Sequence, residues 1–297
     1  MTKRSKRTQK LSWRRDDFER RFGFEGAPYF KVGFVLPFLM AVLGTIAFYF
    51  TLVYVPDCAF KRMFVERGWT QYAVVLLGLQ TFFTLWIKTR KIKLQRAPLK
   101  TSIFPDDESF EFSVDTVDVV ADKIAQLAES PKDFLLYRRA LQALVCLRNI
   151  GQISEVDSLF SSQAERDENA SETSYALVSG FLWAIPILGF VGTVMGLSNA
   201  IGGFTGALSA TTNDMSELTD ALRDVTSGLS TAFETTLVAL TVALALQLFA
   251  TFTRRAEEDL LDDISDYCAA NIATKIQAKS VSATEIPAPR TKPHGSL

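Results

Sequence analysis

Residues 184–196 read Ala-Ile-Pro-Ile-Leu-Gly-Phe-Val-Gly-Thr-Val-Met-Gly and lie inside an apolar run long enough to cross a bilayer. A helix that meets only lipid has no use for a proline, three glycines and a threonine. Spacings of three and four put Gly189, Gly192 and Gly196 on one helix face, where small residues let a neighbouring backbone approach closely. Pro186 opens the stretch. Thr193 adds a hydroxyl beside the glycine face, able to meet water, an ion or a partner side chain. The segment reads as a packed, pore-lining helix rather than a simple anchor.

Four such runs occur, roughly at Val32 to Val55, Tyr72 to Ile87, Tyr175 to Ala200 and Gly228 to Phe252. Each approaches the ~20 apolar residues that a spanning helix needs. The second is the shortest and carries Gln80. The first is too long and begins too late to read as a signal peptide. Basic residues flank the runs unevenly. They crowd before the first (Lys3 to Arg21), after the second (Lys88 to Lys100) and after the fourth (Arg254, Arg255), while the connection between the first and second has Lys61, Arg62 and Arg67 and that between the third and fourth has only Arg223. The positive-inside rule then puts the N-terminus, the region 88–173 and the C-terminus in the cytoplasm. The formal net charge of −1 gives no basic domain for nucleic acid, so the basic arm reads as a topology signal and an anionic-lipid contact.

The expected organisation follows. Residues 1–31 are a basic cytoplasmic arm, and 32–87 hold the first two spans with a short external loop. Residues 88–173 are a cytoplasmic helical region, 174–271 hold spans three and four plus a cytoplasmic helix, and 272–297 form a disordered tail. Within 88–173, apolar residues at Val117, Val120, Ile124 and Leu127 predict an amphipathic helix. A second helix is expected from Pro131, with Ser130 as its N-cap, to about Ile150, ended by Gly151. Arg138, Arg139 and Arg148 on it read as a solvated face. Asp214 and Glu217 predict the start of a helix that runs unbroken into span four. The fold class is all-α: a polytopic membrane protein with four transmembrane helices and cytoplasmic helical extensions.

The fourth span carries polar residues. Ser227, Thr231, Glu234, Val238 and Thr241 form one stripe, and Thr236 sits on another face with Ala232 and Phe233. Glu234 at membrane depth is a functional candidate; near an interface it is merely hydrated. Both readings stand on the residues alone. Enzyme chemistry finds no support. The only histidine is His294, the three cysteines are scattered, and no phosphate loop, metal-ligand cluster or nucleophile–base set is visible.

Spans three and four resemble the MotA/TolQ/ExbB family of ion-driven motor subunits. The third-span motif matches Pro186, Gly189, Gly192, Thr193, Val194 and Gly196, and Asn199 fits the TolQ/ExbB branch. The fourth-span pattern matches residues 228–236, with Thr236 at the threonine position. The ExbB branch has a glutamate one turn earlier; here Thr231 takes that place and Glu234 sits nearby. The resemblance covers about Ser174 to Asn271. It implies a homopentameric ring in a bacterial inner membrane, around a dimer of a single-span MotB/TolR/ExbD-like partner whose aspartate binds and releases the ion. The ring would conduct H⁺ or Na⁺ past Thr193 and Thr236, with Thr231 and Glu234 as further ion-path candidates, and would need no cofactor or metal. The alternative is a non-conducting membrane scaffold or sensor subunit.

Overall fold

The computed structural model describes residues 10–13, 17–21, 31–101, 103, 117–150, 153–209 and 215–273. The described residues are all-α. In chain order the helices are α1 (Phe18–Arg21), α2 (Val35–Tyr54), α3 (Ala59–Val65), α4 (Trp69–Gln95), α5 (Val117–Leu127), α6 (Leu135–Ile150), α7 (Ile153–Ser174), α8 (Ala176–Ser209) and α9 (Met215–Cys268). Four helical stretches are long and apolar enough to cross a membrane: Val35–Tyr54, Trp69–Lys100, Ser158–Thr205 and Thr219–Asn271. The first matches the run expected from the sequence to within three residues, and the other three contain the expected runs and extend beyond them at both ends. The chain divides into two compact units.

The first unit comprises residues 17–91 and 171–257. Its helix α4 is the one most enclosed by protein. Half of its most apolar window is buried, against 22–28% for the other three, and its hydropathy is the lowest of the four at 1.3. The two facts share a cause. A span that faces other helices need not dissolve in lipid, so α4 can hold Gln80, Thr81 and Thr84 in buried positions. Thr81 and Thr84 donate back to the carbonyls of Leu77 and Gln80, whereas the Gln80 amide is buried without a partner. By contrast α2 turns Leu43, Ile46, Phe50 and Val53 outward, as a lipid-facing helix does. The apolar core of the unit gathers Leu52, Phe64, Val74, Ile185, Val238, Ala239 and Leu246 from α2, α3, α4, α8 and α9.

Two lysines counted among the orienting charges are not solvated. Lys88 is 1% exposed and bonds Glu257, itself fully buried, at 2.6 Å. Glu257 also accepts from Ser171 at 2.6 Å and Tyr175 at 2.9 Å, and the Lys88 ammonium lies 3.7 Å from the centre of the Tyr175 ring. Lys91 pairs with Glu19 of α1 and donates to the Lys31 carbonyl at 2.7 Å. Buried charges persist only when paired and hydrogen-bonded in this way.

The second unit comprises residues 1–16, 92–170 and 258–297. Its core gathers Ile103, Val120, Ile124, Phe134, Leu135, Leu136, Leu260 and Ile264, all at most 1% exposed. Trp13 is fully buried and meets Phe134 edge-on at 5.5 Å. An isolated parallel bridge joins Leu11 to Ala128. Part of the basic N-terminal arm is thus built into a folded core.

The amphipathic helix expected from Val117 is α5. The helix expected from Pro131 starts differently. Pro131–Asp133 make only one 3₁₀ turn, and Ser130 forms no side-chain capping bond. The chain then extends at Phe134 before α6 begins. Gln95 supplies what Ser130 does not: its amide accepts from the Leu135 N–H and donates to the Asp133 carbonyl, both at 2.9 Å. Arg138 and Arg139 are not a solvated face. Both bond Asp167 of α7, at 2.7 and 2.8 Å, and the Arg139 side chain is 1% exposed; Arg139 also donates to Ser265 at 2.9 Å. A partner 28 residues away takes Arg139 out of solvent, and the Arg138 side chain stays 25% exposed. The Arg148 side chain, Gly151, Asp214 and the tail after Ala273 lie outside the described residues, as do most residues of the arm.

Candidate functional site

The glycine face of α8 packs on α9 of the same chain. A Cβ added at Gly189 would stand 2.6 Å from the Ala239 methyl. At Gly192 it would stand 2.6–2.7 Å from Thr235 Oγ1 and Cβ. At Gly196 it would meet backbone, 2.7 Å from both the Ala232 nitrogen and the Gly228 oxygen. A Cβ added at Gly228 would in turn stand 2.7 Å from the Gly196 oxygen. Two backbones this close leave room for no side chain between them, which is the physical reason for small residues at both sides of the seam. Pro186 lies inside α8, one turn before the seam, and lines an open cavity of about 720 Å³ with Tyr175, Trp183, Gln247 and Arg254.

The threonines fall into different settings. Thr235 is buried in the seam and bonds the carbonyls of its own helix. Thr236 crosses the seam and donates to the Gly189 carbonyl at 3.2 Å. Thr193 stands one residue round from Gly192, partly exposed, and donates to Phe190 in its own helix at 2.6 Å. Thr231 donates to the Ser227 carbonyl at 2.9 Å and leaves its oxygen free to accept.

What it accepts is a bond from Arg67, which the sequence counts only among the basic residues between the first two spans. Arg67, in the turn between α3 and α4, donates from Nε to Glu234 Oε2 at 2.8 Å and from Nη2 to Oε1 at 3.1 Å. The same guanidinium reaches Thr231 at 3.0 Å and Ser230 at 3.1 Å, and Ser230 donates to Glu234 at 2.8 Å. The fork-on-fork geometry is the strong form of an arginine–carboxylate pair. Gly68 follows with φ +87°, a conformation that side chains disfavour, and it turns the chain from Arg67 into α4. Arg67 and Glu234 are 13% and 27% exposed at their side chains. Glu234 is thus neither a bare carboxylate in a cavity nor simply hydrated; it has a cation of its own. Thr231 and Glu234 are brought together, while Thr193 and Thr236 lie on the two sides of the seam. The pairing of Arg67 with Glu234 is not visible in the sequence, because nothing local ties it to a residue 167 positions later. Glycine at 68 was the available hint of a turn.

A second cavity, of about 480 Å³, opens at this end of the seam. It is lined by Arg67, Thr70, Gly192, Gly196, Asn199, Asp224, Ser227 and Thr231, among others. Among the described residues no group of three or more His, Cys, Asp or Glu side chains is placed to hold a metal.

Residues 129–266 match the family model described as the MotA/TolQ/ExbB proton channel family. These residues are a MotA/TolQ/ExbB proton channel family domain. The match takes in α6 to α8 and all but the last two residues of α9, and so the glycine seam, Thr193, Thr231, Glu234 and Thr236. Arg67, α2 and α4 lie outside it. No curated protein and no solved structure matched the chain. The MotA/TolQ/ExbB proton channel family is a transport class of membrane proteins that work with single-span partners, and the four apolar helices agree with that setting.

Proposed function

We propose that this chain is the ring subunit of an ion-driven rotary motor. Five copies enclose a dimer of a single-span MotB/TolR/ExbD-like protein in a bacterial inner membrane, with both termini of each copy cytoplasmic. The complex conducts H⁺ or Na⁺ and turns ion flow into mechanical work across the envelope. The observation that carries this reading is that the family match contains both threonine positions, Thr193 and Thr236, on two helices joined by a close glycine seam. A seam this tight fixes the two helices relative to each other, so that a hydroxyl on either is held at a constant place beside a moving partner. Thr193, partly exposed, is the more available to an ion or to the partner's aspartate. Thr236 is engaged with the Gly189 carbonyl and acts by setting the seam. The driving force is about 2.3 kcal/mol per charge at 100 mV.

The test is cryo-electron microscopy of the purified complex, with and without a co-expressed single-span protein. A five-fold ring around two central helices is the expected result. A monomer, or an open cluster without a central pore, refutes the motor and favours the scaffold.

A further inference from the structure

The polar cavity at the Arg67 end of the seam lies next to the proposed ion path without belonging to the family match on all sides. Its walls come from α8 and α9, which the match covers, and from the α3–α4 turn, which it does not. About 480 Å³ is far above the ~15 Å³ that one water occupies. Trp69 and Met195 give the lining an apolar part, and the rest is polar: Asn199, Asp224 and Ser227 are exposed on it, and Thr231 and Arg67 are partly so. Beside it the first turn of α4 buries the Thr70 hydroxyl and both polar atoms of the Gln71 amide without a hydrogen-bond partner. Polar groups in that state draw in water or rearrange toward it, since each unmet bond costs free energy.

The charge around this cavity is arranged. Glu66 and Asp224 stand exposed at its lining; Arg67 also lines it, and Glu234, bonded to Arg67, stands behind that guanidinium rather than on the wall. A guanidinium does not give up its proton in a protein. Alone it would repel every cation that approached Thr231. Glu234 cancels that repulsion, and the two carboxylates at the lining tip the balance toward cations. Removing either member of the pair therefore changes the sign of the field more than the size of the opening.

We propose that this cavity is the aqueous mouth of the ion path, a site for water and a monovalent cation, and that the Arg67–Glu234 pair sets which charge may enter. The inference rests on the motor reading for its purpose, but its geometry and charge are tested without ion flow. Arg67 is a positioning residue: it acts through Glu234 and through the field.

The experiment is thiol accessibility in the full-length protein in its native membrane. Single reporters Asn199→Cys and Ser227→Cys are made with Cys58→Ser, and each is reacted with a cationic and with an anionic membrane-impermeant methanethiosulfonate, from each side separately. The expected result is reaction with both reagents from one face. Arg67→Gln raises the cationic-to-anionic rate ratio at least tenfold, Glu234→Gln lowers it at least fivefold, and the double variant returns near the starting ratio. If Arg67→Gln fails to accumulate, Glu234→Gln and the double variant still decide the matter. Ratios within twofold across all variants overturn the inference, as does failure of both thiols to react from either face. Failure of the motor reading shows separately, in the absence of a five-fold ring while the labelling ratios still shift. The converse is a ring whose partner-dependent ion flux is lost in Thr193→Val while the labelling ratios stay fixed.

Discussion

Replacing Gly196 by alanine tests whether the α8–α9 seam is as close as described. The added methyl would lie 2.7 Å from the Ala232 nitrogen and the Gly228 oxygen and 3.1 Å from the Ala232 Cα. Ordinary contact is about 3.5–4 Å, so the helices must separate by roughly 1 Å. The obstacles are backbone atoms of a helix and cannot rotate away. Overpacking of this kind costs up to ~3 kcal/mol. Alanine returns ~1 kcal/mol of helix propensity, leaving a loss of about 2 kcal/mol. For a protein of this size that lowers the apparent Tm by roughly 4–8 °C. Gly180 on the same helix is the matched control, because a Cβ there meets nothing within 4 Å. Gly180→Ala keeps only the propensity gain and raises Tm by ~2–4 °C. Differential scanning fluorimetry of the detergent-purified protein reads both. If the two substitutions shift Tm equally, the seam is not a contact that excludes a methyl, and the reasoning from Gly196 and Gly228 fails.

Thr193→Val swaps a hydroxyl that bonds only within its own helix for a methyl of similar volume. Assembly and Tm stay within ~0.5 kcal/mol of the parent while partner-dependent ion flux in proteoliposomes falls; unchanged flux removes Thr193 from the path. Lys88→Met strands Glu257 in a fully buried position, a loss of about 3–5 kcal/mol seen as poor accumulation of folded protein. Adding Glu257→Gln removes the stranded charge and keeps an acceptor for Ser171 and Tyr175, so folded yield recovers; no recovery would deny that the charge is the cause. Burial, with the nearby Tyr267 phenol second, pushes the Tyr137 phenol up to about 12 from 10.0. The raised value favours the neutral form in the folded state. Its stabilisation is complete below pH ~10 and is lost as pH rises from there toward 12. Tyr137→Phe removes that alkaline loss, and also a buried hydroxyl without a partner, as urea denaturation at pH 9 and pH 11 would show.

The elements most legible in the sequence were those set by local pattern. Apolar length gave the four spans, and the spacing of Val117, Val120, Ile124 and Leu127 gave α5. The uninterrupted α9 could be read because no proline or glycine pair breaks residues 215–268 after the expected start. The glycines of α8 signalled a close approach, but the face they meet, Gly228, Ala232, Thr235 and Ala239 of the same chain, is chosen by the fold and not by local pattern. Long-range pairing was the part that stayed hidden. Arg139 on an amphipathic helix has the spacing of a surface charge until Asp167 arrives from α7. The cap on α6 comes from Gln95, about forty residues upstream, rather than from the adjacent Ser130. Arg67 is the most consequential case, since the character of Glu234 could not be decided without it.

The Lys88–Glu257 bond has a consequence for how the protein is made. The two residues are 169 positions apart. At ~5–20 residues per second of synthesis, roughly 10–30 s separate the emergence of Lys88 from that of its counter-charge. During that interval the end of α4 carries an unpaired ammonium, which holds it at the water boundary and delays its final docking. The fourth span therefore locks the second, and a nascent chain cut short of residue 257 is chemically distinguishable from a longer one by this single uncovered charge.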